Sequence, residues 1–342
     1  MRGFAPGRVN LIGDHTDYTG GWAMPMAIDR GTTVEVRTGG SRVELASDEE
    51  PEAAVVPLDV AEPRSVEPAW ARYVAGVVAV VRPVEGAVGT VRTTLPVGAG
   101  LSSSAALEVS VALALGFRGE PLELALACQR AEHVASGVPS GVMDQLASVA
   151  GVAGHALLLD CASLEITPVA LPAEVDVVVV DSGQARALAG SAYAERRAQC
   201  EAAAAIVGPL REASTGDLYR LDDDVLRRRA RHVVTENRRV LDFAGCLRTG
   251  DLAEAGRLMA ASHASLAADF EVSTPALDAL VEKLAAVPGV YGARLTGAGF
   301  GGCVVALAEV GSAVRGWRMQ ASAGASVVVS GGSDSGPGVG GR

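Results

Sequence analysis

The sequence predicts an α+β or mixed α/β fold in two domains that meet near residue 173. Three observations carry this. The first half mixes short strand-like runs, such as Thr32–Arg37 and Val88–Thr94, with Ala-rich helical stretches. An apolar run at Val175–Val180 reads as a buried strand that opens a second unit. Helical segments then give way to strand-like Gly292–Leu295 and Gly302–Leu307 around a glycine cluster.

Length and charge bound the rest. A chain of 342 residues is long for one core and comfortable for two domains. The net charge of −11 disfavours nucleic acid or an anionic membrane as a partner. The five cysteines are scattered without a C-x-x-C pair, which reads as reduced thiols in a cytoplasmic protein. No apolar run reaches the roughly 20 residues that span a bilayer, and no signal-peptide pattern opens the chain. Lys283 is the only lysine, so a lysine-based phosphate grip is almost absent.

The first element is a strand carrying Val9, Leu11 and Ile12 into APGRVNLIGDHTDYTGG. Gly13 turns the chain, and Arg8, Asp14, His15 and Asp17 crowd around that turn. Further on, LPVGAGLSSSAALEVSVALALGF pairs glycines with Ser102, Ser103 and Ser104 ahead of an Ala/Leu/Val segment. Leu107, Val109, Val111, Leu113 and Leu115 alternate as a strand would, while the interleaved alanines and preceding serines favour a helix. A helix start here supplies free N–H groups and hydroxyls for phosphate; a serine-capped helix after a glycine loop is the plainer reading.

In AEHVASGVPSGVMDQLAS a small-residue loop delivers Asp144 to the start of a helix. It is either a general base or an acid placed there by the helix dipole. Glu132 is either a metal ligand or a surface acid. After Val175–Val180, helices are expected at about Asp223–Leu247 and Asp251–Phe270. A third starts at Ser273-Thr274-Pro275 and stops near Pro288-Gly289. Arg227, Arg228, Arg229 and Arg231 read as a solvated helix face. Gly297, Gly299, Gly301 and Gly302 form a tight turn or a ligand loop, and residues 331–342 form a Gly/Ser-rich disordered tail.

These motifs, in this order, resemble the galactokinase branch of the GHMP kinase family, from Ala5 to about Val329. GRVNLIGDHTDY is similar to its sugar signature, GAGLSSSA to its phosphate loop, GVMDQ to its catalytic segment and TGAGFGGC to its third motif. The resemblance implies an N-terminal mixed α/β domain (1–172) and a C-terminal ferredoxin-like domain (173–330), with the active site between them. It implies phosphorylation of D-galactose by ATP at the anomeric hydroxyl, giving galactose 1-phosphate and ADP, the first committed step of galactose catabolism. A monomer is expected.

By motif match, Asp144 is the catalytic carboxylate, as base or as orienting group, and Arg8 is its charged neighbour. Arg8, Asp14, His15, Asp17, Gly141, Asp144 and Tyr193 would contact the sugar. Gly98, Ala99, Gly100, Leu101, Ser102, Ser103 and Ser104 would hold the ATP phosphates, and Ser104 with Glu132 would hold Mg²⁺. Trp70 fits the nucleotide-base region, with a core tryptophan as the alternative.

Three departures stand out. Asp14 occupies a position where Glu is usual, so contact with a hydroxyl could become water-mediated. The segment before APGRVN is short, and Ala187 stands where relatives often carry His, although Arg186 is kept. A sugar 1-kinase for N-acetylgalactosamine or arabinose, or a non-catalytic galactose and ATP sensor, are the competing readings.

Overall fold

The computed structural model describes residues 1–96, 99–184 and 189–328. Gly98, Arg186, Ala187 and the tail 331–342 lie outside the described residues. The chain opens with β1 (Arg2–Asn10), β2 (Trp22–Ala23), β3 (Pro25–Thr38), β4 (Arg42–Ser47), β5 (Glu50–Pro57), α1 (Ala71–Val81) and β6 (Ala87–Thr93). There follow α2 (Ser103–Ala114), α3 (Pro121–Ser136), α4 (Met143–Ala150), β7 (His155–Asp160) and β8 (Ile166–Ala170). The second half holds β9 (Val175–Asp181), α5 (Ala189–Val207), α6 (Asp224–Thr249), α7 (Leu252–Ala268) and α8 (Pro275–Ala285). It finishes with β10 (Val290–Leu295), β11 (Cys303–Glu309), β12 (Trp317–Met319) and β13 (Ser326–Val328).

Three sheets result: β13-β1-β3-β6-β4-β5, β10-β11-β9-β12 and β2-β7-β8. The first two hold the two halves of the chain, with one exception. β13 returns to pair antiparallel with β1, so the last strand closes the edge of the first sheet. Helices α2 and α4 pack on β1, while α7 and α8 cover β10. The antiparallel four-stranded sheet with its helices is the ferredoxin-like half that the motifs imply.

The ambiguous Ala/Leu segment is the helix α2. It is buried on nearly every face, from Ala105 through Ala114, so no polar stripe remains to reveal a helical period. Helix starts follow local chemistry as expected. Asp223 accepts Val225 and Leu226 N–H groups, Asp251 accepts Glu254 N–H, and Thr274 accepts Leu277 N–H ahead of Pro275.

Two expectations need correcting. Leu11 and Ile12 lie just past β1, although Leu11 N–H and the Ile12 carbonyl still bond across to Met24. The arginine cluster on α6 is not a solvated face. Arg229 is buried, with its Nε on Gln199 at 2.8 Å and its Nη2 on Glu271; Arg228 also pairs with Glu271, and Arg231 with Asp269. The α7–α8 connection brings those carboxylates over α6, and sequence spacing along one helix cannot reveal a partner contributed by another.

Candidate active site

A cavity of about 580 Å³ opens where the ends of β1, α2, α4 and the loop after β10 converge. Arg8, Asp14, His15, Asp17, Gly100, Ser102–Ser104, Glu132, Gly141, Asp144, Tyr193 and Gly297 line it. Four separated motifs therefore meet in one place. Trp70 is not among the lining residues; its indole N–H donates to the Glu52 carbonyl at 3.0 Å, and its ring packs on the core.

Arg8 is the cation of the site. Its Nε donates to Asp144 Oδ1 at 2.8 Å, Nη2 to Asp144 Oδ2 at 3.0 Å and Nη1 to the Gly100 carbonyl at 2.7 Å. This fork on a carboxylate is the geometry a guanidinium holds best. A bulge between Pro6 and Arg8 turns the strand here. At Gly7 a Cβ would sit 2.5 Å from the Leu101 carbonyl, so the missing side chain lets the glycine-rich loop lie against β1. Asp144 stands in the first turn of α4, its side chain 27% exposed.

The sugar-signature loop forms the opposite wall. His15 Nε2 lies 3.1 Å from the Ala298 carbonyl and Nδ1 2.9 Å from the Tyr18 hydroxyl. A carbonyl only accepts, so Nε2 carries the proton and Nδ1 accepts from Tyr18. Burial, reinforced by His232, pushes the imidazole down to about 3, and the ring is neutral at physiological pH. Tyr193 and Phe270 stack beside it, at centroid distances of 5.4 and 4.8 Å. Asp17 is pushed up to about 7 by burial first and by Asp144 second. Its carboxylate fills the space beside Gly141, where a Cβ would come within 1.8 Å of Asp17 Oδ2. Gly141 is thereby required for this approach.

Asp14 is tied to the C-terminal half. Its Oδ1 accepts the Gly297 N–H at 3.0 Å and its Oδ2 lies 2.6 Å from Arg294 Nη2. Oδ2 is removed from solvent, while the residue lines the cavity. On the phosphate side, Ser104 Oγ donates to Glu132 Oε1 at 2.9 Å. Ser140 Oγ and Gln145 Nε2 donate to Glu132 Oε2 at 2.9 and 2.8 Å. Glu132 is therefore not the surface acid of the plainer reading.

The comparisons with known proteins follow this geometry. A model described as the galactokinase galactose-binding signature matches residues 2–38. The GHMP kinase N-terminal and C-terminal models match residues 72–152 and 243–323. The galactokinase of Roseiflexus sp. (strain RS-1) is 48% identical over 327 residues, covering 89% of this chain and 82% of its own. The chain belongs to the galactokinase family. The Homo sapiens galactokinase is 45% identical over 335 residues, covering 92% of this chain and 85% of its own. The crystal structure of Lactococcus lactis galactokinase complexed with galactose superposes with a TM-score of 0.88 at 33% identity, covering 95% of this chain and 94% of that one. A mevalonate kinase at 19% identity and a TM-score of 0.63, covering 90% of this chain and 91% of its own, shares the fold.

Within this galactokinase-family site, several residues were not legible as functional. Glu108 is fully buried on α2, and burial followed by Glu132 pushes its carboxyl well above the ordinary range. Gln145 Nε2 bridges it at 3.2 Å to Glu132. A lone acid in an otherwise apolar helix was the available signal. Arg294 stands two residues before the third motif, as an ordinary strand residue. Tyr18 sits inside the quoted sugar signature, but nothing local announces that it orients His15.

Proposed function

We propose that the protein transfers the γ-phosphoryl group of ATP to the anomeric hydroxyl of D-galactose, giving galactose 1-phosphate and ADP. One observation carries the reading. The forked Arg8–Asp144 pair lies in the same cavity as the galactose-signature wall and the serine-rich loop. That arrangement supports an acceptor hydroxyl set against a carboxylate and facing a phosphate site.

In this reading Arg8 fixes the Asp144 carboxylate in place, and Asp144 orients the acceptor hydroxyl. The proton passes to the carboxylate late, as the new O–P bond forms, which suits the loose transition state of phosphoryl transfer. Arg8 also places positive charge beside the transferring group. Asp14, His15, Asp17, Gly141 and Tyr193 are the residues proposed to contact the sugar. Polar groups in a dry wall discriminate because a misplaced hydroxyl leaves one of them unpaired.

The phosphate side is proposed to use Gly98–Leu101, Ser103, Ser104 and the N–H groups of the first turn of α2. No side chain caps that turn, so the donors face the cavity free. The Ser104 hydroxyl and Glu132 carboxylate are hard oxygen donors 2.9 Å apart at the cavity wall. That set suits Mg²⁺, which takes one or two protein oxygens and completes its shell with phosphates and water. Bound there, it would neutralise phosphate charge. Trp70 is kept as a nucleotide-base candidate only outside the cavity proper.

A monomer is proposed. Scattered cysteines without a C-x-x-C pair and the use of ATP favour the cytoplasm. Among the described residues no helix is long and apolar enough to cross a membrane. A sugar panel in an ATP-consumption assay tests the proposal, with galactose expected to give the highest kcat/KM. Turnover of N-acetylgalactosamine or arabinose with none of galactose would replace the acceptor; galactose binding without turnover of any sugar would replace the enzyme with a sensor.

A further inference from the structure

Ser102 is the first serine of the phosphate-loop motif, and its hydroxyl faces away from the role that motif suggests. Its backbone is left-handed, φ 58° and ψ 48°, a conformation that costs a non-glycine residue energy and needs something to hold it. A serine at a helix start ordinarily accepts an N–H from its own first turn. Ser102 does not. Its Oγ instead donates to Asp144 Oδ2 at 2.5 Å, and the residue is 6% exposed.

We propose that Ser102 serves the Asp144 carboxylate and not the nucleotide, filling Oδ2 so that Oδ1 is the oxygen offered to the acceptor hydroxyl. This rests on the reading of Asp144 given above. Each carboxylate oxygen accepts along about two lone-pair directions. Oδ2 receives Arg8 Nη2 at 3.0 Å and Ser102 Oγ at 2.5 Å, whereas Oδ1 receives only Arg8 Nε at 2.8 Å. One direction on Oδ1 is left, on a side chain that still reaches the cavity.

The neighbouring loop residues do the same work. The Leu101 carbonyl accepts the Arg8 backbone N–H at 3.1 Å and the Gly100 carbonyl accepts Arg8 Nη1 at 2.7 Å. Residues 100–102 thus grip both members of the Arg8–Asp144 pair. The Ala106 N–H, bonded to the Ser102 carbonyl at 3.1 Å, carries that grip into α2. Among the three serines, phosphate contact then falls to Ser103, which is exposed, and to Ser104. Ser102 is a positioning residue: it acts through Asp144.

Steady-state kinetics of Ser102→Gly and Ser102→Ala, with calorimetric ADP binding, test this. Both variants should lose roughly tenfold in kcat, the order expected for a hydrogen bond to a charged group. KM for ATP, KM for galactose and the ADP Kd should stay within about twofold, because neither ligand loses a direct contact. Glycine relieves the left-handed strain and alanine keeps it, so a loss common to both reports the hydroxyl and not the backbone. Wild-type kcat in Ser102→Gly overturns the inference. So does a large rise in ATP KM and ADP Kd at unchanged kcat, which would make Ser102 a phosphate ligand. Full turnover in Asp144→Asn would instead sink the underlying reading of Asp144, whatever Ser102→Gly does.

Discussion

Arg294 and Asp14 meet at 2.6 Å, the guanidinium wholly removed from solvent and the carboxylate almost so. The contact joins β10 to the sugar-signature loop, 280 residues apart in sequence by their numbers. Arg294 Nη1 also donates to the Leu11 carbonyl, Thr296 Oγ1 donates to the Asn10 carbonyl and the Gly13 N–H donates to Glu236 Oε1. The C-terminal half therefore shapes the wall that carries Asp14, His15 and Asp17. A shorter acid at position 14 fits a role divided between the cavity and this buried cation.

Asp14→Glu tests that division. The extra methylene enters a site where both carboxylate oxygens are already held by the protein. Overpacking should cost about 1–3 kcal/mol in chemical denaturation. KM for galactose should fall or hold, since the longer acid extends toward the cavity. A large rise in KM would show a pocket shaped to aspartate.

Asp144→Asn keeps the shape of the side chain and removes its charge and basicity. Turnover should drop by about 10²–10⁴, the usual contribution of a positioned acid–base group. Galactose binding, followed by calorimetry, should remain measurable. Unchanged kcat would refute the assigned role.

Asp17 gives a pH signature. Its carboxyl is raised from 3.8 to about 7 in the folded chain, so folding favours its protonated form. The stability it contributes is greatest below the unfolded value and is lost as pH rises toward 7. Asp17→Asn, a neutral near-isostere, should gain stability relative to the parent across that window. The gain should approach about 1.4 kcal/mol per pH unit within it and level off above. Urea midpoints at pH 5 and pH 8 read the difference; equal spacing at both values would remove Asp17 as the source. Galactose KM should rise in the same variant.

Arg211 clasps Asp160 with both terminal nitrogens and donates to the Gly20 carbonyl at 2.8 Å, its guanidinium 5.1 Å from the Trp22 ring centroid. These hydrogen bonds hold the Asp160 carboxyl well below the usual carboxylate range. Arg211→Met should cost about 3 kcal/mol at neutral pH by leaving a mostly buried carboxylate without its counter-charge, held only by the Ala162 and Ser163 N–H groups. The cost should shrink as pH falls below about 4, where the unfolded carboxyl takes up its proton first. Denaturation at pH 7 and pH 3.5 measures it; a pH-independent cost would point to packing alone.

The local features were legible in the amino-acid order because their causes are local. Thr274-Pro275 starts a helix through its own cap, and Val175–Val180 makes a central strand through its own apolarity. Arg8, Asp144 and Glu132 could be singled out because each sits in a stretch whose composition is unusual by itself. The β4–β5 hairpin and the small β2-β7-β8 sheet were not read, since short strands with exposed faces carry little period.

By itself the sequence determined a mixture of strands and helices in two halves, the elements with strong local signals and the four motifs that the site requires. Only the tertiary structure decided what those motifs touch. It turned the Ser102 hydroxyl onto Asp144, buried Glu108 behind Glu132, set Arg294 against Asp14 and spent the α6 arginines on carboxylates after α7. Hydrogen bonds and ion pairs act over a few ångströms of space without regard to separation along the chain. Partners as far apart as Leu11 and Arg294 become neighbours only once the sheets have packed.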